Sequence, residues 1–223
     1  AKMLLRRFID RTTLAVTLAA LLALAGCGGS GAVRDAEAPR QQAGGAAAAA
    51  GDAVVPEIPP EALTLFEQAA SVMAAGDFVD AELRLKEFTL LYPDYPGAWV
   101  NLAIIHANNE NDAETRAALD RALAINPDYA PALNQLGMLL RRNGNFLEAE
   151  AAYLKAVTVS PEYALAHYNL GVLNELYLQR LEPALQHFEI YQSLVGEDKQ
   201  VEKWIADLKR RVAANQRTAN VAE

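Results

Sequence analysis

Large apolar side chains recur along residues 62–195 at helical spacing, and the whole pattern returns every 34 positions. Pro93, Pro127 and Pro161 mark the period, as do Tyr95, Tyr129 and Tyr163, and Leu102, Leu136 and Leu170. Gly76 with Gly144, Phe78 with Phe146, and Ala81 with Ala149 stand two periods apart. A period of this size predicts stacked helix–turn–helix units, none able to bury its apolar face alone. The prolines end each second helix, and Gly76 and Gly144 suit turns because glycine accepts positive φ. Over residues 198–215, Val201, Trp204, Ile205, Leu208 and Val212 form one further apolar stripe, with Lys203, Lys209, Arg210 and Arg211 outside it. That stripe predicts a helix capping the last unit. Residues 216–223 carry no such stripe and are expected to fray. Residues 28–60 are rich in Gly, Ala, Gln and Pro and lack any stripe of large apolar residues. Such a composition cannot bury enough surface to offset chain entropy, so a flexible tether is expected.

The repeat resembles the tetratricopeptide repeat (TPR) family. Trp99, Leu102, Ala103, Leu119, Ala122 and Pro127 match the family pattern in one unit. Leu133, Leu136, Gly137, Gly144, Ala149, Tyr153, Ala156 and Pro161 match it in the next. The resemblance implies an all-α fold, a right-handed superhelical solenoid of repeats at 62–95, 96–129, 130–163 and 164–195, closed by a capping helix at 196–215. Small residues at Ala69, Ala103, Gly137 and Gly171 let the two helices of a pair approach closely. Two departures stand out. Glu110 and Thr115 occupy positions where the family has Gly and Ala. Repeat four carries one extra residue, expected in its turn, so that Ala184 and Phe188 take the Ala and aromatic positions. Tyr191 replaces a small residue there and no proline closes the repeat.

The N-terminus reads as an export signal. Arg6, Arg7 and Arg11 precede an apolar run from Leu14 to Ala25, shorter than the roughly 20 residues that span a bilayer. It ends in Leu24-Ala25-Gly26-Cys27, and the sole cysteine of the chain sits there. All four residues match the lipobox of bacterial lipoproteins. By that resemblance residues 1–26 are removed and Cys27 is lipidated, with residues 27–61 forming the tether. Gly28 after the cysteine, rather than Asp, points to the outer membrane in enteric-type lipoproteins. An ordinary signal peptide with a chance cysteine is the plainer alternative.

Composition narrows the chemistry. The chain has a net charge of −8, and residues 62–195 hold 17 acids against 8 bases, or −9. An acidic array argues against nucleic acid, which requires a basic face, and suits a solvated surface or a field for a basic partner. One cysteine excludes an intrachain disulfide framework. No nucleophile elbow, zinc-protease motif or phosphate loop is present, so neither enzyme activity, cofactor nor metal is expected. His167 and His187 lie in different helices of repeat four, close enough to approach one another, and are expected to be satisfied or surface histidines.

In the TPR family the first helix of each pair lines a concave groove. Carried onto this chain, its face-forming positions point to Phe66; Val100, Asn101 and Ile104; Asn134, Gln135, Met138, Arg141 and Arg142; and Tyr168, Asn169 and Val172. Asn101, Gln135 and Asn169 share one position in successive repeats. Their amides form a ladder suited to an extended peptide backbone, or are simply polar structural residues. The positions that carry the family's carboxylate clamp hold Phe66, Ala70, Asn101, Pro131 and Gln135, so that clamp is not expected. Arg141 and Arg142 form the one basic pair of the groove, suited to a carboxylate or to solvating a helix end. The functional expectation is a lipid-anchored periplasmic adaptor that binds envelope proteins or peptides, with pairing of copies through the repeat ends as a further possibility. The alternative is a fixed subunit, pilotin or assembly factor of a secretin, outer-membrane assembly or TonB/ExbB/ExbD-type complex, working through its cap or convex face.

Overall fold

A computed structural model describes the backbone of residues 59–221 and the side chains through 218. The export signal, Cys27 and the tether expected at 28–58 lie outside the described residues. Among those described there are nine α-helices and no strand. They are α1 (Pro60–Ala74), α2 (Phe78–Leu91), α3 (Pro96–Asn108), α4 (Asp112–Ile125), α5 (Ala130–Arg142), α6 (Phe146–Val159), α7 (Ala164–Val172), α8 (Leu181–Val195) and α9 (Lys199–Val221). None is long and apolar enough to cross a membrane.

Each odd helix packs antiparallel on the even helix that follows, and each even helix packs on the next odd one. The first helices also touch one another, α3 with α5 and α5 with α7. They therefore form an inner layer, with α2, α4, α6 and α8 outside. Every repeat contributes to the interior: Leu85, Ile105, Leu119, Tyr153, Leu170, Leu173 and Phe188 are all fully buried. Burying a large apolar side chain contributes about 1.5–3 kcal/mol, so each interface between repeats holds its neighbours in place.

Size is matched across each pair. A Cβ on Gly137 would lie 2.6 Å from Tyr153 Cδ1, and one on Gly171 would lie 2.7 Å from Phe188 Cδ1. The equivalent positions in repeats one and two hold Ala69 with Leu85 and Ala103 with Leu119. Glycine thus accompanies the flat aromatic and alanine the leucine, which keeps the helices in close contact either way.

The turns share one backbone shape. Gly76 and Gly144 have φ of +87° and +80°, and Glu110 and Gln179 adopt φ of +57° and +56° at the matching places. Repeats two and four therefore hold side-chain-bearing residues in the left-handed region, which glycine enters without strain. The extra residue of repeat four lies ahead of the turn, where it was not expected. It is absorbed by a π-helical turn over Leu173–Tyr177, in which Leu178 N–H reaches the Leu173 carbonyl at 3.0 Å. One added residue widens the helix locally and leaves the turn intact.

The capping stripe lies against the stack: Val201, Trp204, Ile205, Leu208 and Val212 are all buried. The helix continues to Val221, where fraying from 216 was expected. Extension of an anchored helix is easy once its nucleus exists, and Arg217 and Thr218 donate back to the Ala213 and Ala214 carbonyls.

Candidate partner-binding face

The inner layer is less open than the groove pattern implies. Of the twelve groove residues, Val100, Asn134, Gln135, Tyr168, Asn169 and Val172 are buried. Phe66, Asn101, Ile104, Met138 and Arg141 are half-buried, and Arg142 is exposed. Val100 belongs to the core, and Phe66 stacks 5.7 Å from Phe88. The reason is the contact between successive first helices. Their flanks face the next inner helix rather than solvent.

The amide ladder is therefore corrected. Asn169 is 2% exposed, and its Nδ2 donates to Asn134 Oδ1 at 2.8 Å. The bond ties α7 to α5, so neither amide is presented to a peptide. Gln135, the middle rung, is buried as well. Only Asn101 of the three is half-exposed.

Helix α9 also closes the inner face of repeat four. Trp204 stacks on Tyr168 at 6.0 Å and on Phe188 at 5.5 Å. Arg211 Nη1 donates to the buried Glu175 carboxylate at 2.7 Å. The cap was expected to cover the last apolar face; it covers the groove side of that repeat too. The open inner face is thus that of repeats one to three.

The basic pair splits. Arg142 forms an ion pair with Asp112, and its Nη1 donates to the Ala107 carbonyl at 3.0 Å. It staples repeat three to repeat two. Arg141 instead lies over the Tyr177 ring, 5.9 Å from its centroid, and Tyr177 stacks on Phe146 at 4.8 Å. Between them opens a cleft of about 310 Å³. Ala107, Met138, Leu139 and Tyr177 supply apolar lining, and Thr115, Gln135 and both arginines line it as well.

The two histidines meet. Their Nδ1 atoms are 3.1 Å apart, and His167 Nε2 lies 3.0 Å from the Pro161 carbonyl. A carbonyl only accepts, so His167 carries its proton on Nε2, leaving Nδ1 to accept from His187 Nδ1–H. Trp99 makes the same bond two repeats earlier, with Nε1–H donating to the Pro93 carbonyl at 2.8 Å. Burial holds the His167 pKa below its usual value. Burial, and then the neighbouring ring, push His187 down to about 4. Among the described residues no group of three metal-ligating side chains converges.

Family profiles described as tetratricopeptide repeat match residues 72–137 and 134–198. The chain carries a tetratricopeptide repeat domain. Its fold is shared with PilF of Pseudomonas aeruginosa, at 23% identity over 70% of this chain and 72% of that one, with a TM-score of 0.61. A thermophilic TPR protein of Thermus thermophilus is 20% identical over 67% of this chain and 82% of its own, with a TM-score of 0.58. MamA of Desulfovibrio magneticus is 18% identical over 74% and 92%, with a TM-score of 0.56. At these identities the likeness is one of architecture. No curated protein matches the chain in sequence. TPR arrays are protein-interaction scaffolds with extended concave surfaces. The shelf formed by Arg141 and Tyr177 was missed in sequence because Tyr177 belongs to the π turn, which the 34-residue register does not place.

Proposed function

We propose that this chain is a lipid-anchored periplasmic TPR adaptor that gathers proteins of the cell envelope on its inner face. The observation that carries the reading is Leu24-Ala25-Gly26-Cys27, the sole cysteine of the chain, set ahead of an interaction array. Acylation at Cys27 would hold the array at a membrane, the outer one by the Gly28 rule, and the tether would raise its effective concentration for partners. Binding and positioning are its proposed work; no catalytic step is assigned.

The test expresses wild type and Cys27→Ser in bacteria fed radiolabelled palmitate. Label and membrane association in wild type, both lost in the variant, support the anchor. An unlabelled wild type, or a labelled variant, overturns it. Crosslinking from native membranes then compares wild type with Asn101→Ala/Asn108→Ala, two residues of α3 of which the first is half-buried and the second exposed. Loss of a partner with the fold retained supports groove binding.

A second reading, a fixed subunit working through its convex face, has its own support. Val79, Leu83 and Leu90 on α2 are 75%, 63% and 84% exposed. Repeat two holds Ala113, Ala117 and Ala124 at the same places. A partner lost on Leu83→Ser/Leu90→Ser but kept by the α3 variant would favour this reading.

A further inference from the structure

We propose that the cleft beside α5 binds a partner segment through an acidic side chain held by Arg141, with apolar neighbours of that residue seated against the cleft lining. The inference rests on the inner face being the binding face.

Ion pairing singles Arg141 out. Of the eight cations in residues 62–195, six have a carboxylate partner: Arg84, Lys86, Arg116, Arg142, Lys155 and Arg180. The other two are Arg121, exposed on the outer helix α4, and Arg141. Among the described residues, Arg141 is the cation of the inner layer that has an aromatic platform and no ion pair.

Its setting is prearranged for a carboxylate. The guanidinium lies over Tyr177, and Phe146 stacks on Tyr177, so an aromatic platform stands beside the cation before any ligand arrives. A planar guanidinium fork matches a carboxylate with two parallel hydrogen bonds. The neighbouring Arg142 is neutralised by Asp112, so Arg141 supplies the local excess of positive charge. The cleft beside it is lined by Ala107, Met138, Leu139 and Tyr177, with the polar Thr115 and Gln135 among them. A carboxylate held by Arg141 with apolar lining around it fits an internal Asp or Glu with apolar neighbours. The acidic remainder of the array repels a highly acidic ligand and so favours a single acidic residue over an acidic run.

The test uses the full chain purified in detergent and dye-labelled peptides with both ends blocked. One peptide carries a single Glu between Leu and Phe; its twin carries Gln. Anisotropy titrations are run with wild type, Arg141→Gln and Arg121→Gln. The Glu peptide is expected to bind wild type about tenfold more tightly than the Gln peptide, the value of one desolvated charge-assisted pair. Arg141→Gln should abolish that preference and Arg121→Gln should keep it, with unchanged melting in both. Equal binding of the two peptides by wild type overturns the proposal. So does a preference that survives Arg141→Gln. The assay contains no membrane, so its outcome is independent of whether Cys27 is acylated. If neither peptide binds while the α3 variant still loses its envelope partner, the adaptor reading stands and the Arg141 site falls.

Discussion

Acidification should loosen repeat four through the head-on contact of His167 and His187. His167 Nε2–H is committed to the Pro161 carbonyl and its Nδ1 accepts from His187 Nδ1–H, 3.1 Å apart, so the next proton goes to His187 Nε2 and places a charge on a half-buried ring beside His167. Burial lowers both pKa values, with His187 near 4. The unfolded chain titrates these rings near 6.5, so between pH 6.5 and 4 it binds more protons than the folded chain. Stability from the pair is therefore complete above pH 6.5 and is lost as pH falls through that window. For His187 alone, a drop to pH 5.5 removes about 1.4 kcal/mol, and solvent screening of its half-buried ring reduces this to about 1 kcal/mol. The assay is urea unfolding at pH 7.5 and 5.5, followed by Trp204 emission in a Trp99→Phe background. Trp204 stacks on Phe188 in the same repeat, so it reports local loosening. The comparison is His187→Ala, because Ala118 and Ala152 hold the equivalent place in repeats two and three. Wild type should lose about 1 kcal/mol more than the variant over this pH step. Equal losses would refute the assignment of the pair as the titrating element.

Three further outcomes follow from packing and turns. Gly137→Ala drives a Cβ into the Tyr153 ring and should cost about 2–3 kcal/mol in urea unfolding, with Gly137→Ala/Tyr153→Leu recovering much of it by restoring the alanine–leucine pairing of repeats one and two. Glu110→Gly removes left-handed strain at φ +57° and should stabilise by about 1 kcal/mol, whereas Gly144→Ala should destabilise by a similar amount. Tyr153→Phe deletes a buried hydroxyl that has no hydrogen-bond partner among the described residues, so melting should stay level or rise; a fall of several degrees would show that the hydroxyl is satisfied by water.

The order of the helices was legible because it rests on local rules. A 34-residue return of Pro, Tyr and Leu fixes where helices stop, and the 3.6-residue stripe fixes which face is apolar. Even the departures were readable: Glu110 stands in a glycine's place and takes up a glycine's backbone. The stripe at Val201, Trp204, Ile205, Leu208 and Val212 announced a cap. The end of α9 was not legible, because a helix held by its first turns extends through residues that have no stripe of their own.

The binding face was legible only in part. The repeat register assigns Asn101, Gln135 and Asn169 to one position, but equal position is not equal surroundings. Asn169 faces Asn134 because α7 leans on α5, and Tyr168 and Glu175 meet α9, more than 30 residues further along the chain. Arg141 and Arg142 are adjacent in sequence, yet one finds Asp112 and the other Tyr177. Helix, turn and cap are decided by neighbours within a few residues, and those the sequence displays directly. Which polar groups stay open is decided by how far each repeat rotates on the last and where the final helix lies, and these depend on contacts between residues 30 or more positions apart.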